Sequence, residues 1–244
     1  MHSTGHSPEK GEKGMNELIL SSATFGVVIS LLGYLVGLTV KKRFKAGVFN
    51  PLLIAIVLVV AVLKIFHIDY SSYNAGAKYL SYLLTPATVC LAVPLYMQIE
   101  KLRRNALAIF CALAAGVLTS LLSVLALSVV FRLSHQEYVT LLPKSITSAI
   151  GMGVSEELGG YPSITVAVII LTGILGNVSG DLVCRLFRIT EPIAKGLAMG
   201  SAAHAIGTTR AMEWGEVEGA MSSLAIVVSG VLTVVGASFF AGLW

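Results

Sequence analysis

Ala106-Leu-Ala-Ile-Phe-Cys-Ala-Leu-Ala-Ala-Gly-Val-Leu-Thr-Ser-Leu-Leu-Ser-Val-Leu-Ala-Leu-Ser-Val-Val-Phe131 contains no Asp, Glu, Lys or Arg. As an α-helix this segment is roughly 39 Å long at 1.5 Å per residue, more than the ~30 Å hydrocarbon core of a bilayer. A helix apolar on every side has no face for water, and in lipid it satisfies its own backbone polar groups. The rest of the chain agrees. Of 244 residues, 55% are hydrophobic and 12% charged, and the mean hydropathy is +0.83. A soluble domain carries about 25% charged residues. Lipid is therefore the main solvent.

Working outward, Leu18–Val40, Pro51–Phe66, Ser163–Leu186 and Ala220–Phe240 read as further spans, the second of them short. Tyr79–Gln98 is long enough but carries Pro86 and Pro94, which remove backbone donors and should kink or break the helix. Residues 1–16 form a polar tail that reads as disordered, and 17–244 as a single transmembrane domain. Leu18–Val40 is too long for a signal-peptide core and reads as a retained span.

Basic residues gather in short patches between the apolar runs: Lys41–Lys45, Lys101–Arg104, and Arg185 to Arg188 with Lys195. That is the positive-inside pattern of cytoplasmic loops, not a nucleic-acid face. With Lys41–Lys45 inside, two more crossings put Lys101–Arg104 inside as well. If Leu142–Gly160 enters and returns on one side, Arg185 and Arg188 also end inside; if it crosses, they do not. We read the segment as re-entrant and the N-terminal tail as outside. Cys90, Cys111 and Cys184 lie in or beside apolar stretches without a CxxC and read as packing residues.

Two stretches are too small and polar to face lipid: Leu142–Gly160, and Gly196-Leu-Ala-Met-Gly-Ser-Ala-Ala-His-Ala-Ile-Gly207 with Thr208 to Ala211 following. Both read as short helices interrupted by turns. The spacings Gly33/Gly37, Gly176/Gly180 and Gly196/Gly200 allow close helix approach and read first as packing.

Several of these strings resemble the LrgB/CidB (YohK-like) membrane-protein family. They are Leu83-Leu-Thr-Pro-Ala-Thr-Val-Cys-Leu-Ala-Val-Pro-Leu-Tyr96, Leu142-Pro-Lys-Ser-Ile-Thr-Ser-Ala-Ile150, Gly159-Gly160, the Gly196–Gly207 string, and Glu218-Gly-Ala-Met-Ser-Ser-Leu-Ala225. The resemblance covers nearly everything after Met15. It implies a multi-pass protein of a bacterial cytoplasmic membrane and two functional strands. One is a holin/antiholin-like role in murein-hydrolase export and lysis. The other is carboxylate transport, as in the related plastidial glycolate/glycerate carrier. It also implies a smaller LrgA/CidA-type partner subunit.

The fold expected is an all-α polytopic bundle with broken or re-entrant helices and inverted-repeat, transporter-like architecture. A carboxylate crossing it needs donors, which broken half-helices supply at their N-termini. Three breaks offer candidates. Thr85 and Thr88 either bind the anion or satisfy carbonyls freed by Pro86. Ser145, Thr147 and Ser148 follow Pro143, which suits a helix start; Lys144 either pairs with substrate or snorkels to the interface. At the third, His204 is an ionisable group at membrane depth, able to bond a carboxylate, to take a proton, or to bond a backbone carbonyl between helices. Ser201 and Thr208 are near it in sequence. Arg210 either adds positive charge or pairs with Glu213 or Glu216. Asn177 and Asp181, one turn apart, either line a pathway or lock helices together. Of Glu156 and Glu157, either one lies deep in a re-entrant hairpin and binds a cation or proton, or both are solvated at a helix end, the reading we favour.

No HExxH, G-x-S-x-G or P-loop occurs, so no enzyme, metal or cofactor is expected. The reading is a carrier of glycolate-, glycerate-, lactate- or pyruvate-type monocarboxylates by alternating access, in membrane lipid and as a homodimer. The alternative is the holin/antiholin-like regulator.

Overall fold

The computed structural model describes residues 24–44, 51–83, 86, 89–90 and 92–244; the tail 1–16, Thr85 and Thr88 lie outside these. The chain divides into two units after Val89. The first contains α1 (Phe25–Phe44), α2 (Pro51–Ile65) and α3 (Tyr70–Ser81). Here Gly37 is pressed onto the Pro51 backbone and Gly26 onto Tyr73 and Ala77, while Ser30 Oγ and Tyr73 OH lie 2.8 Å apart.

The second unit contains α4 (Ala92–Met97), α5 (Ile99–Arg104), α6 (Ala106–Phe131), α7 (His135–Leu141), α8 (Ser148–Glu157), α9 (Pro162–Leu186), α10 (Pro192–Trp214) and α11 (Glu216–Ala241). Among the described residues, α1, α6, α9 and α11 are long and apolar enough to cross a membrane. The protein is an all-α, multi-pass membrane protein. α6 buries Ile109, Leu113, Val117, Leu121, Val124 and Ser128, a stripe at helical spacing. Its other faces leave Leu107, Val130 and Phe131 largely exposed, which suits hydrocarbon and would be untenable in water.

Between the spans lie two hairpins. α7 starts with a capping box, Ser134 and Glu137 each bonding the other's backbone N–H; the Ser134 N–H and then its hydroxyl, both donating to the Glu137 carboxylate, hold that carboxyl below its ordinary pKa. Tyr138 OH donates to the Phe240 carbonyl (2.9 Å), tying α7 to the end of α11. The chain turns through Leu142–Thr147, runs back along α8, and reaches Gly159 at φ +79°, where glycine suits the left-handed turn. It then returns to its starting level: Tyr161 N donates to Thr140 Oγ1 (2.8 Å) and Thr165 Oγ1 to the Thr140 carbonyl (2.9 Å). The tip of this hairpin reaches further along α9, where Gly151 packs on Ile169.

The second hairpin is α10 itself, broken at His204 (φ 42°, ψ −136°). Its first limb runs outward from the break with Ala203 at Gly176 and Met199 at Gly180. Its second limb runs outward too, with Asn177 Nδ2 donating to the Ile206 carbonyl (2.8 Å) and Trp214 Nε1 to Asp181 Oδ1 (2.8 Å). Both limbs therefore end beside the last turns of α9. At 1.5 Å per residue each is roughly 15–18 Å long, too short to span.

The two hairpins enter from opposite ends of α9 and meet near its middle, because His204 Nε2 donates to the carbonyl of the same Ile169 (3.0 Å). Their outer sides pack against α6 and α11. One core cluster joins Val117, Leu121 and Val124 to Tyr138, Leu142, Ala237 and Phe240; the other joins Ile109 and Leu113 to Leu197, Ala220, Met221 and Ala225.

Within the second unit, the closest backbone approach at a described glycine is between α10 and α11. A Cβ on Gly196 would overlap the Glu218 carbonyl, and one on Gly200 the Ser222 carbonyl. Backbone touches backbone there, as the Gly196/Gly200 spacing foretells. Gly200→Val should destabilise the protein by about 1–3 kcal/mol, read as a lowered thermal-unfolding midpoint in detergent. An unchanged midpoint would contradict this contact.

Candidate functional site

A cavity of about 940 Å³ lies within the second unit between α6, the first hairpin tip and the first limb of α10. Asn105, Glu191 and Ile193 line one end of it, while Ser120, Ser123, Lys144 and Ser145 line the other; Thr172 and Gly176 of α9 and Ser201 of α10 complete the wall. Ser201 faces α6 at Gly116.

Lys144 reaches this depth because the hairpin carries it there. Ser120 stands near the midpoint of α6, and Lys144 Nζ donates to Ser120 Oγ (3.0 Å) and to Ser145 Oγ (3.0 Å). The two hydroxyls are themselves 3.2 Å apart. Two of the ammonium's three donors are thus engaged, and among the described residues no carboxylate lies within salt-bridge distance. The Lys144 ammonium turns inward onto these hydroxyls. A buried cation costs several kcal/mol unless an anion or a dense polar shell compensates it. Among the described residues the Lys144 ammonium bonds hydroxyls, which can also donate. Ser145 leads directly to α8, whose positive dipole end begins at Ser148 behind the Thr147 N-cap.

Of the residues named from sequence, the cavity brings together Lys144, Ser145 and Ser201. Thr147 and Ser148 stand half-buried at the start of α8 and are not in the cavity wall. His204, 4% exposed, is turned away onto Ile169. Thr208 repairs the backbone break, donating from Oγ1 to the His204 carbonyl (2.9 Å) with Ser222 Oγ 2.7 Å away. Arg210 is held by both Asp181 and Glu213. Asn177 donates to Ile206 and Thr209, so Asn177 and Asp181 lock the second limb of α10 to α9. Glu156 and Glu157 are exposed.

The hydroxyls of Thr119, Ser120, Ser123 and Thr172 were not singled out from sequence. Their only signal was a polar patch within apolar spans. Such hydroxyls often just bond their own helix, as Thr119 does to the Ala115 carbonyl (2.7 Å) and Ser123 to that of Ser120 (2.7 Å). Only the arrival of Lys144 marks them out. Among the described residues no cluster of His, Cys, Asp and Glu is placed to hold a metal ion.

Comparison with known proteins bears on this arrangement as a whole. Residues 30–243 match the LrgB-like family, and the chain belongs to that family. Antiholin-like protein LrgB from Bacillus cereus strains B4264 and AH187 is 39% identical to it over 212 residues, covering 86% of this chain and 92% of the relative. Antiholin-like protein LrgB from Bacillus anthracis strain CDC 684 / NRRL 3495 matches to the same extent. No solved structure matches the chain.

The His204 geometry makes a separable prediction. His204→Ala keeps the positive φ but leaves the Ile169 carbonyl without its ring donor, and should cost about 1–3 kcal/mol of stability. His204→Gly also loses the bond but relieves the backbone, and should lose less. Thermal unfolding of the two variants in detergent checks the order.

Proposed function

We propose that this LrgB-like chain carries small monocarboxylates of the glycolate, glycerate, lactate or pyruvate type, using the Lys144 cavity as its anion site. The observation that carries the reading is a half-buried ammonium at mid-span, bonded to Ser120 and Ser145 and without an acidic partner among the described residues. An entering carboxylate would take the third donor of Lys144 and the hydroxyl protons of Ser120 and Ser145, with Thr172 and Ser201 within the same wall. Charge-assisted bonds of this kind replace the anion's hydration shell. The opposed hairpins support alternating access, because broken helices meeting at mid-depth can open toward either side in turn. Bacterial cytoplasmic-membrane placement, a homodimer, and a smaller LrgA/CidA-type partner subunit belong to this proposal.

A second reading is the holin/antiholin-like regulator of murein-hydrolase export and lysis. The comparisons favour it over the carrier, since the relatives above are named antiholin-like. The geometry favours the carrier, because a lesion-forming assembly needs no selective anion site.

Proteoliposomes discriminate them. The carrier reading expects saturable uptake of labelled glycolate, lactate or pyruvate. Lys144→Gln should reduce that uptake at least tenfold, the effect of losing about 1.4 kcal/mol from one charged hydrogen bond. Absence of saturable uptake, with or without the partner subunit, would falsify the carrier. Release of trapped dyes much larger than a carboxylate, indifferent to Lys144→Gln, would support the regulator instead.

A further inference from the structure

A second cavity, about 480 Å³, lies at the outer end of the α10 hairpin, and Asp181, Arg185, Arg188, Lys195 and Trp214 are in its wall. We propose that it binds the phosphate of an anionic phospholipid headgroup.

The charge balance comes first. Asp181 is the acidic residue in the wall, and it is already engaged by Arg210 and by the Trp214 indole. Arg185, Arg188 and Lys195 have no carboxylate within salt-bridge distance among the described residues. Arg185 Nε donates only to the Asp181 carbonyl of its own helix (3.3 Å). The Lys195 ammonium stands 5.9 Å from the centre of the Trp214 ring, which holds it by cation–π attraction. Three cations thus face one pocket whose acidic residue, Asp181, is already shared by Arg210 and the Trp214 indole and also feels the charge of Arg185, so positive charge is in excess there.

The backbone is arranged to present them. α9 ends with Ile189 N bonding the Cys184 carbonyl (2.8 Å) and Arg188 N the Arg185 carbonyl (3.2 Å). Arg188 takes the left-handed position of this cap, at φ 55°, where glycine is the usual residue. A strained non-glycine residue here sends a guanidinium into the cavity wall, and bidentate guanidinium–phosphate bonding suits that placement.

The surroundings select a lipid over a free anion. Leu182, Leu186 and Phe187, on the same last turns of α9, are 64–72% exposed. They are where hydrocarbon would lie against a spanning helix at its end, and Trp214 sits at the same level, as interfacial tryptophans do. A phosphate with acyl chains attached would meet the cations and this apolar collar together, whereas inorganic phosphate would meet only the cations.

The experiment uses the full chain in nanodiscs of phosphatidylcholine, with phosphatidylglycerol, phosphatidylcholine or inorganic phosphate added, and reads thermal unfolding and lipid retention by native mass spectrometry. Wild-type protein should retain phosphatidylglycerol over phosphatidylcholine. Each cation removed, by Arg185→Gln, Arg188→Gly or Lys195→Gln, should weaken that preference about fivefold, the order contributed by one cation near a lipid surface. Arg188→Gly is informative because it fits the left-handed backbone better and should fold at least as well. Arg103→Gln with Arg104→Gln, in a basic patch outside this cavity, should leave the preference intact. The proposal is overturned if the three cavity variants keep the preference, if the Arg103/Arg104 variant loses it equally, or if inorganic phosphate competes as well as phosphatidylglycerol.

Discussion

The carbonyl of Ile169 is the point on which the second unit depends. Hydrocarbon offers no water to a freed backbone group, so a helix can be broken at membrane depth only where protein groups take over. Here the first hairpin packs its Gly151 onto the Ile169 side chain, and the second places the His204 ring on the carbonyl of the same residue. The strained backbone at His204 is held by this bond, by Thr208 on the His204 carbonyl and by the Ser222 hydroxyl behind it.

Small residues make that meeting possible. Hydrophobic burial gives no net attraction between helices already in lipid, so close van der Waals contact has to hold them. Gly196 and Gly200 bring α10 onto the α11 backbone, while Gly173 and Gly176 leave room for His204 and Ala203 beside α9. The large apolar side chains are displaced outward, with Leu175 and Leu186 exposed on α9 and Val235 and Phe239 on α11.

Two electrostatic arrangements then stand in contrast. On the second limb of α10, Arg210 is closed off by Asp181 and Glu213 and does structural work, pinning a hairpin to its neighbour. At the other tip, Lys144 bonds hydroxyls and, among the described residues, no carboxylate. A paired charge resists change, whereas a cation held by hydroxyls that can reorient keeps a donor in reserve.

Read residue by residue, the chain carries its solvent, its family, the four long spans and the breaks within Leu142–Gly160 and Gly196–Ala211, while Pro51–Phe66 forms an apolar helix too short to count with those spans. These follow from local properties: uncharged apolar length in Ala106–Phe131, glycine spacing at Gly196 and Gly200, and Pro143 before Lys144. It also marked Lys144, Ser145 and Ser201, which do converge, but it gave His204 the leading role and overlooked Ser120 and Thr172. Those points were settled by the packing of the hairpins against α6 and α9. Whether a histidine faces a cavity or a carbonyl, and whether a serine on a distant span meets a lysine, depends on how two hairpins turn and how deep they reach. Those are set by packing between segments far apart in the chain, and no local pattern carries that information.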